Sequence, residues 1–283
     1  MKGPEEAGDV EALLREETCG EYVIERELGR GWGGVLYLAT EISIPRPVAI
    51  KVFSPTQTLG KGAARRFLHG AQLAAALDHP NILPIYRLSA SGRLLWYAMQ
   101  YVGGETLADV LRHRGRLSLE DTIRILRPLA DALDYVHGHH VIHRDVKPFN
   151  VMIAADGRVM LTDFELAKQY QPASLTASGS IVGTPYYMSG QARGKLLTQA
   201  ADQYSVGVMA YSMLAGQVLF EAESVVDILR KHCSEQPVPL EILRPGLPPG
   251  VYAAVDRALA KEPLDRFSSV GAFVEALASV VAW

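Results

Sequence analysis

His143-Arg144-Asp145-Val146-Lys147-Pro148-Phe149-Asn150 places a candidate base, a cation and a carboxamide in one short run. Downstream, Asp163-Phe164 closes a stretch that reads as a β-hairpin: Val151-Met152-Ile153-Ala154, a turn at Asp156-Gly157, then Val159-Met160-Leu161-Thr162. Asp-Gly between apolar runs is a strong signal for a two-residue loop. A turn centred there predicts that Asn150 and Asp163 face each other across the open end, with Cα atoms roughly 4.5–5.5 Å apart. An amide oxygen and a carboxylate so placed make a hard-oxygen site suited to Mg²⁺, which keeps other positions for phosphate and water. A surface hairpin with polar ends is the bland alternative; Asp145 and Lys147 beside it argue against that.

These motifs resemble those of the protein kinase family, specifically the serine/threonine branch as bacteria encode it, and the resemblance runs from about Tyr22 to about Val281. It implies an α+β, bilobal protein-kinase-like fold. A small antiparallel-sheet lobe with one main helix would span 21–102 and a larger, mostly helical lobe 103–283, after an acidic extension at 1–20. ATP and Mg²⁺, or Mn²⁺, would bind between the lobes. Asp145 would accept the proton of the attacking hydroxyl and Lys147 would steady the transferring phosphoryl group. Asn150 and Asp163 would hold the metal. The acceptor would be a serine or threonine of a protein.

Glu21 to Thr40 reads as strand, glycine-rich turn, strand, with Leu28-Gly29-Arg30-Gly31-Trp32-Gly33-Gly34-Val35 at the turn. A dinucleotide fingerprint must open a helix, and this one runs into a strand, which excludes that reading. Gly29, Gly31 and Gly34 lack Cβ, so backbone can lie close over phosphates. In Val48-Ala49-Ile50-Lys51-Val52, alternation puts Ala49 and Lys51 on one face. A small residue two places before a lysine suits an adenine roof with an ammonium reaching phosphates. The resemblance gives Lys51 that role. Leu94 to Met99 reads as a strand entering Gln100-Tyr101-Val102-Gly103-Gly104, a lobe boundary. By resemblance alone, Met99 guards the back of the pocket, the backbone of Gln100 and Val102 bonds adenine, and Val35 and Met152 sandwich the ring.

Ser118 is placed to N-cap a helix from Leu119 to His137, with Pro128 either bending it or marking a boundary. His137, His139 and His140 meet no zinc spacing. Asp202 opens a buried helix and, by resemblance, braces the catalytic loop; Asp265-Arg266-Phe267 matches the family's late arginine motif. Between Asp163 and Thr184, Thr176, Ser178 and Ser180 are candidate autophosphorylation sites, because an arginine before the base (Arg144) commonly receives a phosphorylated segment in this family. Phosphate adds about −1.5 to −2 charge and orders a loop by pairing with arginine.

Composition agrees. The chain has 283 residues, 48% apolar, enough for a substantial core. A net charge of −3 with dispersed Lys and Arg gives no support for nucleic-acid or membrane attraction. Cys19 and Cys233 form no disulfide framework and fit a reducing cytoplasm. No apolar run is long enough to span a bilayer. The acidic opening, Glu5 to Glu17, reads as a short helix or a frayed tail with a solvated face, and self-association is left open.

Three departures from the family pattern bear on activity. Gly70 stands where a glutamate should orient Lys51, and no acid occurs from Lys61 to Leu77. Glu165 replaces the glycine of the metal motif, and is expected to take over part of the missing carboxylate's role. Met188-Ser189-Gly190-Gln191 lacks the glutamate that usually partners Arg266, which must then find another acceptor. Losing one charge-assisted hydrogen bond costs about 1.5–3 kcal/mol, whereas losing the base costs about 10²–10⁴ in rate. Asp145 is present, so impaired activity is the first expectation. A nucleotide-binding pseudokinase that serves as a scaffold or switch is the second.

Overall fold

The computed structural model describes residues 5–31, 34–53, 70–90, 93–163, 185–187 and 198–280. They divide into two compact units. One runs to Asp78 and resumes over Leu83–Val102; the other holds His79–Ile82, Gly103–Asp163 and the described residues beyond.

In the first unit, α1 (Glu5–Glu17) precedes β1 (Tyr22–Gly31), β2 (Gly34–Glu41), β3 (Arg46–Phe53), β4 (Ile85–Ser89) and β5 (Leu95–Gln100). The strands form one antiparallel sheet in the order β1-β2-β3-β5-β4. Period-two alternation sorts its faces. Val48, Ile50 and Val52 are fully buried and join Tyr37, Ala39, Trp96 and Ala98 in one apolar layer. β1 continues through Leu28 to Gly31, so much of the expected glycine turn is paired strand, with Gly29 opposite Leu36 and Gly31 opposite Gly34. At Gly34 the backbone has φ 110°, and a Cβ would lie 2.1 Å from the Val52 carbonyl oxygen, so only glycine fits.

The acidic opening is not merely solvated. It forms α1, whose Val10 and Leu14 enter the same apolar layer, Leu14 with no exposed surface. Glu17 accepts hydrogen bonds from the backbone N–H groups of Arg93 and Leu94, and Glu16 pairs with the Arg93 guanidinium. Acidic composition masks three apolar residues, Val10, Leu13 and Leu14, that turn to the sheet side. Leu14→Ala should therefore destabilise the first unit by about 2–5 kcal/mol, the usual range for a buried leucine. Thermal unfolding measures it; a loss below about 1 kcal/mol would mean that α1 is not docked in solution.

The second unit carries a three-stranded antiparallel sheet of β6 (Gly104–Thr106), β7 (Val151–Ala154) and β8 (Val159–Leu161). Its helices are α2 (Leu107–Arg114), α3 (Leu119–Gly138), α4 (Ala200–Ala215), α5 (Val225–Ser234), α6 (Leu240–Leu243), α7 (Pro249–Ala258) and α8 (Val270–Ala278). Thr106 and Asp109 close a capping box on α2, and the Ser118 hydroxyl caps α3 by accepting the Asp121 N–H. Pro128 lies inside α3 and does not end it. Ile123, Leu126, Leu129, Ala130, Leu133 and Val136 recur at helical spacing and are buried, and α3 packs against α8. α4 is buried along almost its whole length, as the sequence implied.

Arg266 is 4% exposed and has found its acceptors in backbone. Nε donates to the Ala260 carbonyl (2.7 Å), Nη1 to that of Ala200 (2.7 Å) and Nη2 to that of Lys261 (3.0 Å). Its guanidinium also lies 4.7 Å from the Tyr204 ring centroid.

Near it, His232 is 1% exposed, with Nδ1 3.0 Å from the Tyr204 hydroxyl and its ring edge-on to Phe220. Burial, and then the Lys261 ammonium, lower its pKa to about 4. In the unfolded chain imidazole titrates near 6.5, so between pH 6.5 and about 4 only the unfolded state takes up this proton. Stability is thus complete above about pH 6.5 and declines below it, by about 3 kcal/mol on reaching pH 4. His143, whose pKa is also lowered by burial, adds in the same direction. Thermal scans from pH 7.5 to 4.5 should show this slope, flattened in His232→Gln. An unchanged slope in the variant would remove His232 as its source.

Candidate active site

The loop ending at Asn150 is fixed from inside the second unit. His143 is fully buried. Its Nδ1 accepts the Asp145 N–H at 3.3 Å, which makes Nε2 the protonated nitrogen that donates to the Thr162 carbonyl at 3.0 Å. Burial holds the ring neutral, so one tautomer ties the loop to the end of β8. The backbone N–H groups of His143 and Arg144 each donate to a carboxylate oxygen of Asp202 at 2.8 Å. Arg144 has φ 70°, a left-handed conformation that costs roughly 1–2 kcal/mol outside glycine, and these bonds hold it there. Asp202 therefore braces the loop as expected.

His137 completes the brace, with Nε2 2.8 Å from Asp202 Oδ2. The sequence reading weighed His137 only as a metal ligand, and no spacing in sequence ties it to Asp202. His139 turns to the Tyr135 carbonyl instead, and among the described residues no three His, Cys, Asp or Glu side chains could hold a metal ion.

On this frame Asp145, Lys147 and Asn150 meet. Asp145 Oδ2 accepts from Lys147 Nζ at 2.6 Å and from Asn150 Nδ2 at 2.9 Å, and Asn150 Nδ2 also donates to the Asp145 carbonyl at 2.7 Å. A 3₁₀ turn, Pro148–Asn150, folds the chain back for this, closed by the Asn150 N–H on the Lys147 carbonyl.

The hairpin register corrects the sequence reading. Val151 pairs with Leu161 and Ile153 with Val159, and the Thr162 N–H donates to the Asn150 carbonyl at 2.9 Å. Asn150 thus lies opposite Thr162, and Asp163 comes one residue later, at φ 56°. The cause is the loop. The Gly157 N–H bonds the Ala154 carbonyl, Gly157 then takes φ 86°, and Ala154 bonds Arg158. That is a three-residue loop in which a left-handed glycine follows the turn, instead of a two-residue Asp-Gly turn. One added residue shifts the register by one and exchanges the faces of all side chains beyond it.

The residues expected to take nucleotide lie mostly on the first unit. Lys51 is opposite Leu36 and Tyr97, and Ala49 opposite Leu38 and Met99, so all six share a sheet face. Val35 is opposite Val52 and is buried in the apolar layer with Ile50, away from Ala49 and Lys51. Leu36 shares the face of Lys51 in its place. The Gln100 N–H already donates to the Pro84 carbonyl at 3.1 Å. Val102 follows β5, and Met152 belongs to the second unit, paired with Met160 and Thr106. Gly70 is the first described residue of a helical stretch, 70–75, in which Ala71 and Ala74 are buried. Trp32, Phe164, Glu165, Thr176, Ser178, Ser180, Gly183, Thr184 and the 188–191 stretch lie outside the described residues.

Residues 22–273 match the protein kinase domain. The chain is 33% identical over 258 residues to the serine/threonine-protein kinase PrkC of Bacillus subtilis, covering 91% of this chain and 40% of that protein. It is 34% identical over 267 residues to the serine/threonine-protein kinase PknA of Mycobacterium tuberculosis, covering 92% of this chain and 61% of that one. Thus it spans 40% and 61% of the length of these relatives. The crystal structure of the Mycobacterium tuberculosis PknI kinase domain superposes with a TM-score of 0.76 at 30% identity, covering 93% of this chain and 97% of that one. The fold agrees with these likenesses, and the chain belongs to the protein kinase domain family.

Proposed function

We propose that this chain transfers the γ-phosphoryl group of ATP to serine or threonine hydroxyls of proteins. The observation that carries the reading is the loop in which Asp145, Lys147 and Asn150 are bonded together on a frame held by Asp202. Asp145 orients the acceptor hydroxyl and takes its proton; Lys147, bonded to the same carboxylate, stands beside the phosphoryl group. Catalysis of this kind rests on positioning and on charge neutralisation more than on covalent chemistry. On the first unit, Lys51 meets the α- and β-phosphates, Ala49 and Leu36 flank adenine, and Met99 backs it. The Gln100 carbonyl and the Val102 N–H bond its edge. Gly29, Gly31 and Gly34 bring backbone over the phosphates. Residues 21–102 and 103–283 serve as the two lobes, with α1 an extension folded onto the first.

The family uses ATP with a divalent metal, and Mg²⁺ suits the donors present. Asn150 directs Nδ2 at two oxygens of Asp145, and its Oδ1 is the atom proposed to meet the ion. With the Asp163 carboxylate this offers hard oxygens only, the preference of Mg²⁺ or Mn²⁺. When bound, an ion held by Asn150 and Asp163 would supply positive charge to neutralise the phosphates. The proposed location is the cytoplasm, where ATP is supplied; no helix among the described residues is long and apolar enough to cross a membrane. Thr176, Ser178 or Ser180 takes phosphate in an autophosphorylation that Arg144 receives.

The test is transfer of label from γ-³²P-ATP to a protein acceptor and to the chain itself, with Mg²⁺ and with Mn²⁺, alongside Asp145→Asn. Labelled phosphoserine or phosphothreonine in the parent protein and a strongly reduced signal in the variant are expected. Equal signal from both proteins would overturn the reading, and unmodified Thr176, Ser178 and Ser180 would remove the autophosphorylation.

A further inference from the structure

Lys51 has a direct neighbour across the sheet. Its Cα on β3 is paired with that of Tyr97 on β5. Opposed residues of antiparallel strands carry their side chains on one face, with Cα atoms roughly 4.5–5.5 Å apart. Tyr97 is 2% exposed, and a phenol so buried takes a hydrogen-bond partner. The sheet offers few. Leu88 faces Tyr97 from β4, Leu95 and Met99 flank it along β5, and Ala49 and Phe53 lie diagonally on β3. These five are apolar, so among the described sheet neighbours of Tyr97 on that face Lys51 is the polar one. Phe53 touches both groups: its ring centroid is 6.0 Å from that of Tyr97 and 5.9 Å from Lys51 Nζ. Phenol ring and ammonium thus lie beside the same phenyl.

The chemistry of the pair is complementary. An ammonium has three N–H donors and no acceptor, whereas a phenol oxygen accepts. A bond from Lys51 Nζ to Tyr97 Oη takes one donor and leaves two for phosphate oxygens. It also holds a flexible four-carbon side chain, whose rotamer freedom is otherwise lost only when nucleotide binds. No acid occurs from Lys61 to Leu77, where a carboxylate with this task is expected, and Glu165 lies outside the described residues. A carboxylate would also neutralise the ammonium. A neutral phenol aims it and leaves its charge for the phosphates.

We propose that Tyr97 is a positioning residue for phosphoryl transfer, its hydroxyl oxygen accepting a hydrogen bond from Lys51 Nζ and holding that ammonium for the phosphates of ATP. This rests on the kinase reading above. Tyr97 acts through Lys51 and touches neither nucleotide nor acceptor. Losing one hydrogen bond to a charged group, felt at the transition state, lowers the rate about ten- to a hundredfold.

Tyr97→Phe removes one oxygen and keeps the ring that fills the site. Label transfer from γ-³²P-ATP with Mg²⁺, per folded protein as read from thermal melts, is measured in the parent, Tyr97→Phe, Lys51→Met and the double variant. kcat/KM for ATP should fall about ten- to a hundredfold in Tyr97→Phe and further in Lys51→Met. The double variant should stay within about twofold of Lys51→Met, because the hydroxyl then has no ammonium to hold. A purely structural loss would add to that of Lys51→Met. Equal effects of Tyr97→Phe in both backgrounds therefore overturn the proposal, as does a Tyr97→Phe rate within about twofold of the parent. Should Lys51→Met transfer nothing measurable, Gly70→Glu decides, since it returns a carboxylate to the helix that lacks one. It should restore most of the rate lost in Tyr97→Phe, and no restoration overturns the proposal. Absence of transfer by the parent to any protein and to the chain itself overturns the kinase reading and this proposal together, an outcome distinct from equal effects in both backgrounds.

Discussion

Asp145→Asn is expected to slow phosphoryl transfer by about 10²–10⁴-fold, the range for removing a general base. Asparagine has nearly the same shape but cannot take a proton at the acceptor hydroxyl. Its amide can still meet one of the two donors that now converge on Oδ2, Lys147 Nζ at 2.6 Å or Asn150 Nδ2 at 2.9 Å. The Asp145 and Lys147 side chains are 17% and 15% exposed, so the lost pair costs about 1 kcal/mol in stability, a Tm shift of a few degrees. Initial rates at saturating ATP, set beside a thermal melt, separate the two effects. A variant that keeps more than about a tenth of the parent rate would show that Asp145 is not the base.

The second large effect belongs to Asp202. Its carboxylate receives the His143 and Arg144 N–H groups and His137 Nε2, all at 2.8 Å, and it is 1% exposed. Asp202→Ala leaves these donors buried and unpaired and frees Arg144 from a backbone conformation that is costly by itself. Removing one member of such a buried, hydrogen-bonded set costs about 3–5 kcal/mol. Chemical denaturation should show that loss, and phosphoryl transfer should fall even where the variant remains folded, since the loop that carries Asp145 is no longer held. Asp202→Asn should be milder, because its carbonyl oxygen keeps one of the backbone bonds. A loss below about 1 kcal/mol in Asp202→Ala would mean that the brace is not built as described.

The sequence made the chemistry readable where residues close in the chain act together. Asp145, Lys147 and Asn150 lie within six positions, and a local turn suffices to join them. Four strands of the first unit, β1, β2, β3 and β5, were legible too, because glycine, β-branched and apolar residues alternate at period two, whereas β4 and the order of the sheet were not. The register of the β7–β8 hairpin was not. Asp156-Gly157 signals a two-residue loop, and nothing in Ala155 shows that it joins the loop and moves Asn150 opposite Thr162. Val35 failed for a related reason: face assignment depends on counting from a fixed partner, which the Lys51–Leu36 pair supplies only once folded. His137 and Asp202 are far apart in sequence, and only the packing of α3 against α4 brings them together. The docking of α1 was hidden by its acidic surface, since three apolar residues decide it.

The acceptors of Arg266 are main-chain oxygens, and this sets what the anchor tolerates. A carboxylate partner would be neutralised in acid and weakened by salt, whereas carbonyl groups do not titrate. Every amino acid supplies one, so the side chains at positions 200, 260 and 261 can drift without taking an acceptor from the guanidinium, provided the backbone path is kept. Among the described residues these three hydrogen bonds of the anchor therefore depend on the backbone path and not on the identity of the side chains that carry the acceptors.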